Sequence, residues 1–314
     1  MRVSVSVRAD MRARTFSAWA LFFALALACM GARIAHAGDV DAPSAAALHA
    51  RYAALEHQLS HNPFRRPLHL QSSEGPDGVI GDIYARVDFP FETVRGALNN
   101  PVDWCDVLIL HLNTKYCRAS PGSRGAVLKV SVGRKFDEPL YKTHRVNFAY
   151  RVSAQTPSYL QVRLNADAGP YSTHDYRIAF EAVPLESGRT FIHLSYSFSY
   201  GMAGRLALQT YFATIGRDKV GFAAAGTGSG GQPQYIGGIR GLVERNTMRY
   251  YLAIESFLGA LSAPPPARLD QRLRAWFAAT ERYPRQLHEM ERGEYLDMKH
   301  REVLRQHSDP RPPA

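Results

Sequence analysis

The chain has 314 residues, of which 46% are hydrophobic and 21% charged, and its formal net charge is +10. This length suits one large domain, or one domain with appendages. The basic excess favours anionic surfaces such as lipid head groups. Nucleic acid is not expected as a partner, because no dense Lys/Arg tract with interleaved aromatic residues occurs.

The first 37 residues have the order of features that is typical of a secretory signal peptide. Four arginines come first, residues 16–30 are apolar and uncharged, and Ala35-His36-Ala37 supplies a cleavage site of the A-x-A type. The apolar stretch of about 15 residues is shorter than the roughly 20 that span a bilayer. We therefore predict cleavage after Ala37 and a periplasmic mature protein. One alternative is an uncleaved membrane anchor. Another is a lipoprotein signal at Cys29, although Ala26-Leu27-Ala28 is a poor lipobox.

Cleavage would leave 277 residues with a net charge of +6, because residues 1–37 carry five arginines and one aspartate. Two cysteines, Cys105 and Cys117, would remain. An even number of cysteines in an oxidising compartment predicts a disulfide. In the chain-entropy model, closing the loop from Cys105 to Cys117 contributes roughly 3 kcal/mol to the free energy of unfolding. The alternative is a pair of buried free thiols.

Hydrophobic patterning divides the mature chain into four regions. We predict an N-terminal helix and linker over 38–78, a main domain over 79–262, a helical extension over 263–307 and a disordered tail over 308–314. Helical spacing is predicted over 43–60, in two short helices between 91 and 112, over 205–215, over 239–261, and in the extension with a break at Pro284. Strand alternation is predicted over 79–89, 126–132, 145–152, 160–164, 176–182 and 192–200. Residues 66–79 are interpreted as polar and turn-rich, and residues 221–238 as a flexible glycine-rich loop.

This order of elements resembles the START-like (Bet v 1-like) superfamily. The segments that carry the resemblance are Ile83-Tyr-Ala-Arg-Val-Asp-Phe-Pro-Phe-Glu-Thr-Val, the tryptophan of Asn100-Pro-Val-Asp-Trp104, and the closing helix 240–261. The resemblance covers roughly residues 79–262. It implies an α+β helix-grip fold, in which a curved antiparallel sheet wraps on a long C-terminal helix, with extra helices at both ends. It also implies a cavity between sheet and helix that holds a lipid, a sterol or another hydrophobic small molecule.

The candidate ligand contacts lie on the long helix and on the strands facing it. They are Asn246, Arg249, Tyr250 and Phe257 on the helix, and Tyr150, Phe180, Tyr196 and Phe198 on the strands. Asn246 is an amide on an otherwise apolar stripe, so it either contacts a polar group of the ligand or bonds to the sheet or a buried water. Arg249 either contacts the ligand or is a solvated surface residue. The aromatic residues would serve as core and ligand wall together. We predict no cofactor and no metal site, because the chain has no H-E-x-x-H pattern and no second pair of ligands lies at zinc-like spacing from the two cysteines.

These features lead to one main functional hypothesis and two alternatives. The main hypothesis is a periplasmic binding or transfer protein for a hydrophobic ligand, with the glycine-rich loop as a gate. The first alternative is an enzyme on the same fold, of cyclase or hydrolase type. It would need an acid–base pair inside the cavity, for which His174 or His193 beside a carboxylate would qualify. The second alternative is an interaction scaffold that docks a partner through its terminal helices, which a filled cavity would favour.

Overall fold

A computed structural model describes residues 43–308 except Arg124, Ser187 and Ser229. The predicted signal peptide, its cleavage site and residues 309–314 of the predicted tail lie outside the described residues. Ser308, where the tail was expected to begin, is the last residue of the final helix.

The centre of the fold is an eight-stranded antiparallel sheet with the strand order β1-β2-β8-β7-β6-β5-β4-β3. The strands are β1 (Leu68–Glu74), β2 (Gly78–Val87), β3 (Thr114–Gly122), β4 (Gly125–Val132), β5 (His144–Thr156), β6 (Tyr159–Ala168), β7 (Thr173–Pro184) and β8 (Thr190–Tyr200). Successive side chains of a strand point to opposite faces. We call the face that carries Leu194 and Tyr196 the inner face, because it belongs to the main hydrophobic core. The face that carries His193 is the outer face.

Helices precede the sheet in the chain, connect some of its strands and follow its last strand. They are α1 (Ala45–Ala54), α2 (Glu56–Ser60), α3 (Phe91–Leu98), α4 (Pro101–Leu108), α5 (Met202–Ala213), α6 (Gly238–Gly259), α7 (Arg268–Thr280), α8 (Pro284–Leu287) and α9 (Arg292–Ser308). The longest, α6, crosses the inner face. Its close approach requires Gly81 on β2, where a Cβ atom would lie only 2.6 Å from Thr247 Oγ1. A long helix held against a curved antiparallel sheet is the helix-grip arrangement, so the predicted α+β fold is confirmed.

Two segments that were predicted to be turns or loops contain strands, so those predictions are wrong. Residues 66–79, expected to be polar turns, contain β1, which pairs with β2 from Leu68↔Ala85 to Glu74↔Val79. Leu68 is fully buried, but the polar second half of the strand hides the alternation. The glycine-rich stretch 221–238 is not all loop, since Ala224–Thr227 (β9) and Pro233–Tyr235 (β10) form a small antiparallel hairpin. The sheet also contains β3, which the sequence patterning did not predict.

The predicted break between the two short helices is confirmed. Asn100 lies between α3 and α4, and its side chain accepts a hydrogen bond from the Val102 N–H, with Pro101 in the first turn. The cysteines that follow are joined, with Cys105 of α4 and Cys117 of β3 at a Cα–Cα distance of 5.2 Å. The predicted disulfide is therefore present and ties α4 to an edge strand of the sheet.

The C-terminal extension packs onto the back of α6 through its apolar residues. Leu273 and Trp276 of α7 are buried, and the Trp276 Nε1 donates a hydrogen bond to the Arg249 carbonyl oxygen over 3.1 Å. The Trp276 ring also stacks on Tyr295 of α9, with 5.0 Å between the ring centroids. The extension thus forms part of the same packed body as α6.

Candidate ligand site between the sheet and the long helix

One end of the space under α6 is filled by side chains. Trp104 of α4 is buried there, and its Nε1 donates to the Leu98 carbonyl oxygen over 2.7 Å. The Phe180 ring meets Trp104 edge-on at 6.0 Å, and the Tyr150 hydroxyl donates to the same Leu98 oxygen. Phe257 is buried beneath the Arg272 guanidinium, which lies 4.8 Å from its ring centroid. The structure therefore places three of the candidate contacts, Tyr150, Phe180 and Phe257, in packed core. Their contact with a ligand stays a prediction.

The other end carries an aromatic surface that is only partly covered. We call Tyr176, Tyr196, Phe198 and Tyr250 the aromatic wall. The Tyr176 and Phe198 rings stack at 5.4 Å, and the Tyr250 ring of α6 meets Tyr196 edge-on at 5.3 Å. Tyr176 and Tyr250 pack against the core yet stay half-buried. Tyr196 and Phe198 are only 5% and 3% exposed, so access at this end is through Tyr176 and Tyr250. An apolar surface with some access is the character of a hydrophobic ligand site.

A polar group without a partner adjoins the aromatic wall. The His111 ring is buried and stacks on Tyr250 at 5.0 Å. Its Nδ1 accepts from the Asn113 N–H over 3.1 Å, while its Nε2 makes no hydrogen bond of normal geometry to any residue that the structure describes. Burial, then Arg249 and Lys299, hold the pKa of His111 well below its ordinary value, so the ring is neutral and Nε2 carries the proton. The site therefore presents a buried N–H donor that makes no hydrogen bond of normal geometry, although the Asn246 amide interacts with the ring.

Asn246, singled out as a polar residue on an apolar stripe, lies in this region. Its amide is half-buried on α6 and interacts with the Tyr196 hydroxyl and with the His111 ring. The alternative in which Asn246 bonds within the protein is therefore present in this structure. Its contact with a ligand stays a prediction, because the half-buried amide still has accessible surface next to the aromatic wall.

Arg249 is not a solvated surface residue, so that alternative is wrong. It is 1% exposed, and its Nη2 donates to Glu289 Oε1 over 2.9 Å and to the Leu287 carbonyl oxygen over 3.4 Å. Lys135 and Lys219 also bind the Glu289 carboxylate. Burial would raise the pKa of Glu289, but the cations, led by Arg249 and Lys135, lower it to about 2. We call Lys135, Lys219, Arg245, Arg249 and Glu289 the cation cluster.

The histidine that could have supported catalysis points away from this region. His193 lies on the outer face, where its Nε2 is 2.9 Å from Asp82 Oδ1 and its Nδ1 is 2.9 Å from Glu181 Oε2. Burial lowers the pKa of His193, but the bonds and charges of the two carboxylates outweigh it and raise the pKa above its ordinary value. The ring is stacked against Tyr84 at 4.3 Å, in the small core beneath α1.

The second candidate histidine lies at the surface. His174 Nδ1 is 2.8 Å from Asp175 Oδ2, and both side chains are about half exposed, at 46% and 52%. Within the described residues, no group of three or more His, Cys, Asp or Glu side chains is placed to hold a metal ion.

Comparison with known proteins adds a fold-level likeness. No protein-family model matches the sequence, and no curated protein matches it. Similar solved structures include Ara h 8.0201, with 13% sequence identity and a TM-score of 0.33; the match covers 62% of this chain and 99% of that chain. The match to an aromatase/cyclase from Streptomyces sp. R1128 has 12% identity and a TM-score of 0.27, and it covers 69% of this chain and 96% of that chain. The match to human StAR-related lipid transfer protein 5 has 11% identity and a TM-score of 0.29, and it covers 54% of this chain and 89% of that chain.

These structures have Bet v 1-like and START-like folds, the group that the sequence resembles. At TM-scores near 0.3 they carry no argument about ligand or activity. The assignment of a helix-grip fold rests on the strand order and on the position of α6.

Proposed function

We propose that this protein is a periplasmic carrier that holds a hydrophobic ligand between the inner face of the sheet and α6. The observation that carries the proposal is the aromatic wall between the sheet and α6, in which Tyr176 and Tyr250 stay partly accessible. Ligand sites combine such apolar surface with a few placed polar groups. The unused Nε2–H of His111 is one such group, and it would bind a carbonyl or hydroxyl oxygen of the ligand.

Export is the second part of the proposal. The order of charge, apolar stretch and small residues at the start of the sequence supports it. The disulfide between Cys105 and Cys117 supports it too, because such bonds persist in oxidising compartments. We propose no catalytic step, since the His193–carboxylate cluster faces away from the aromatic wall.

We expect the protein purified gently from a periplasmic extract to begin at Gly38 by intact mass and to carry a lipid or other apolar molecule. After delipidation, a fluorescent fatty acid should rebind and raise the melting temperature. Tyr250→Ala should weaken rebinding about tenfold, the effect of roughly 1.4 kcal/mol of lost aromatic contact. Tyr141→Ala is the matched control, because Tyr141 is 81% exposed. A protein with no bound molecule, whose melting temperature no amphiphile raises, would contradict the proposal.

The carrier would exchange its ligand at an anionic membrane, and we propose that α5 docks there. On α5, Met202 and Leu206 are 89% and 66% exposed, although both are apolar. The helix carries Arg205 and no acidic residue. Next to it lies Tyr171, which is 63% exposed. Exposed apolar groups with basic neighbours suit the interface of an anionic bilayer. Among the described residues, no helix has the length and apolarity to cross a membrane.

Co-sedimentation with vesicles tests this docking. The protein should bind vesicles of mixed phosphatidylglycerol and phosphatidylcholine better than vesicles of phosphatidylcholine alone. Leu206→Glu should weaken this binding about tenfold, because it replaces an exposed leucine that would enter the bilayer interface with a charge that the anionic vesicle repels. Leu304→Glu makes the same change at a residue of α9 that is 67% exposed, and it should have no effect. Equal losses from both variants would mean that net charge, and not α5, controls the binding.

A further inference from the structure

Arg245 is a buried cation without a counter-ion. It lies one turn before Arg249 on α6 and is 1% exposed. Its Nε and Nη1 have no hydrogen-bond partner among the described residues, and no described carboxylate lies within ion-pair distance of it. Buried guanidinium groups are normally paired, since an isolated buried charge is strongly unfavourable.

The nearest carboxylates are already occupied. Glu244 precedes Arg245 in the chain, but its Oε1 accepts from the Ser72 hydroxyl and its Oε2 accepts from the Phe222 and Ala223 N–H groups. Glu289 is bound by the other three cations of the cluster. Neither acid therefore forms an ion pair with Arg245, although the charges of both partly offset the effect of its burial.

The cation cluster consequently has an excess of positive charge, with four cations around one carboxylate. Burial, then Arg249, lowers the pKa of Arg245 to about 10, so the group is still charged at neutral pH. The side chains of Lys135 and Lys219 are 27% and 31% exposed, so the cluster is accessible from solvent. An anion that enters from that side would neutralise part of the excess.

The cation cluster also adjoins the apolar site. The charge of Arg249 acts on Tyr250 of the aromatic wall and on the His111 ring that stacks on Tyr250, so the two surfaces lie close together. Tyr211 of α5 lies close enough to Arg245 and Arg249 for the charges of both to favour a lower pKa of its hydroxyl, against the effect of burial. A molecule with a charged head and an apolar chain could thus occupy both surfaces together.

We propose that Arg245, with Arg249, Lys135 and Lys219, binds the oxyanion head group of an amphiphile whose apolar chain lies on the aromatic wall. The head group would be a compact carboxylate or phosphate. The placement of the apolar chain rests on the proposed carrier function, whereas the oxyanion subsite rests on the cation cluster alone.

Three probes test the proposal on delipidated mature protein. They are myristoyl lysophosphatidic acid, the neutral monomyristoyl glycerol that lacks only the phosphate, and inorganic phosphate. We expect lysophosphatidic acid to bind more tightly than the neutral lipid, by about tenfold or more, because its phosphate would pair with the partly buried cation cluster. Arg245→Met should abolish this difference and leave the binding of the neutral lipid unchanged. Lys142→Met removes a charge from an exposed residue and should keep the difference.

The outcomes separate the two proposals. Equal binding of both lipids, in the wild type and in Arg245→Met alike, would overturn the oxyanion subsite and leave the carrier function standing. Binding of inorganic phosphate as tight as that of lysophosphatidic acid, with no binding of the neutral lipid, would support the subsite and overturn the carrier function. A second readout is the ligand-free melting temperature. Arg245→Met should melt at or above the wild type, because it removes an unpaired buried charge. A clear decrease would mean that Arg245 has a structural partner.

Discussion

Replacing Glu302 with glutamine should lower the free energy of unfolding by about 3–5 kcal/mol, the usual cost of breaking a buried ion pair. Glu302 of α9 binds two ammonium groups, with Lys115 Nζ at 2.9 Å from Oε1 and Lys299 Nζ at 2.8 Å from Oε2. All three side chains are fully buried. Glutamine has almost the same shape, so the packing is kept while both lysines lose their counter-ion.

The loss should shrink as the pH rises. Burial lowers the pKa of Lys299 to about 8 although Glu302 opposes the shift, and without Glu302 the pKa should fall further. A lysine whose pKa is lower in the folded state than in the unfolded state destabilises the fold while it is charged. That penalty is relieved as the pH rises from the folded pKa towards the ordinary value of 10.5. The deficit of Glu302→Gln should therefore be larger at pH 7 than at pH 9.

Urea unfolding of both proteins at the two pH values gives the measurement. Asp137→Asn is the matched control, because Asp137 meets Arg301 at 3.0 Å on the surface, where the two side chains are 42% and 56% exposed. Such an exposed pair contributes about 0–1 kcal/mol. If the two variants lose similar amounts at pH 7, the buried triad does not have the role that its geometry indicates.

The regular part of the fold could be predicted because its signals are local. On β8 the alternation of Ile192, Leu194 and Tyr196 with His193 and Ser195 is short-range and unbroken, and the strand forms where it was expected. The helical spacing of α6 and the cap at Asn100 are equally local. Their order along the chain resembles the START-like superfamily, and that resemblance implied the helix-grip arrangement.

Other elements were missed because their partners are distant or their patterns are mixed. On β1 only Leu68 and Leu70 pack against the core, and the rest of the strand is polar. Strand β3 ends in Ser120-Pro121-Gly122, and its register with β4 shifts between Thr114 and Tyr116. Neither strand therefore has the unbroken alternation that identifies β8.

The polar part of the candidate site was predictable only in part. Asn246 and Tyr250 stood out from the face of one helix, and the structure brings both to the aromatic wall. Arg245 and Arg249 lie one turn apart on the same helix, a spacing visible in the sequence. Their partners are not visible in this way. Lys135 comes from a loop 114 residues before Arg249, and Glu289 from a loop 40 residues after it, with no periodic pattern to place either. His111 was not among the predicted ligand contacts, because the absence of a normal hydrogen bond at its Nε2 is a property of the folded packing.

Removing the disulfide by the double change Cys105→Ala and Cys117→Ala should lower the free energy of unfolding by roughly 3 kcal/mol, through the greater freedom of the unfolded chain. For a body of this size the melting temperature should fall by roughly 6–12 °C. The two residues are 3% and 1% exposed, so alanine also removes some buried contact. Thermal melts of the oxidised wild type, the reduced wild type and the double variant give the measurement.

The same comparison bears on where the protein works. Protein made without residues 1–37 in a reducing cytoplasm should contain two thiols. Its melting temperature should be close to that of the double variant, except for the buried contact that the alanine substitutions remove. Mild oxidation should restore the melting temperature of the oxidised protein. Because Cys105 lies on α4 and Cys117 on β3, the bond holds the helix that fills one end of the space under α6 against the edge of the sheet. Loss of the bond should therefore also loosen the packing around Trp104, which intrinsic fluorescence can follow. If the reduced and oxidised wild-type proteins have the same melting temperature, the stability of the fold does not depend on an oxidising compartment. The proposal of export would then rest on the N-terminal sequence alone.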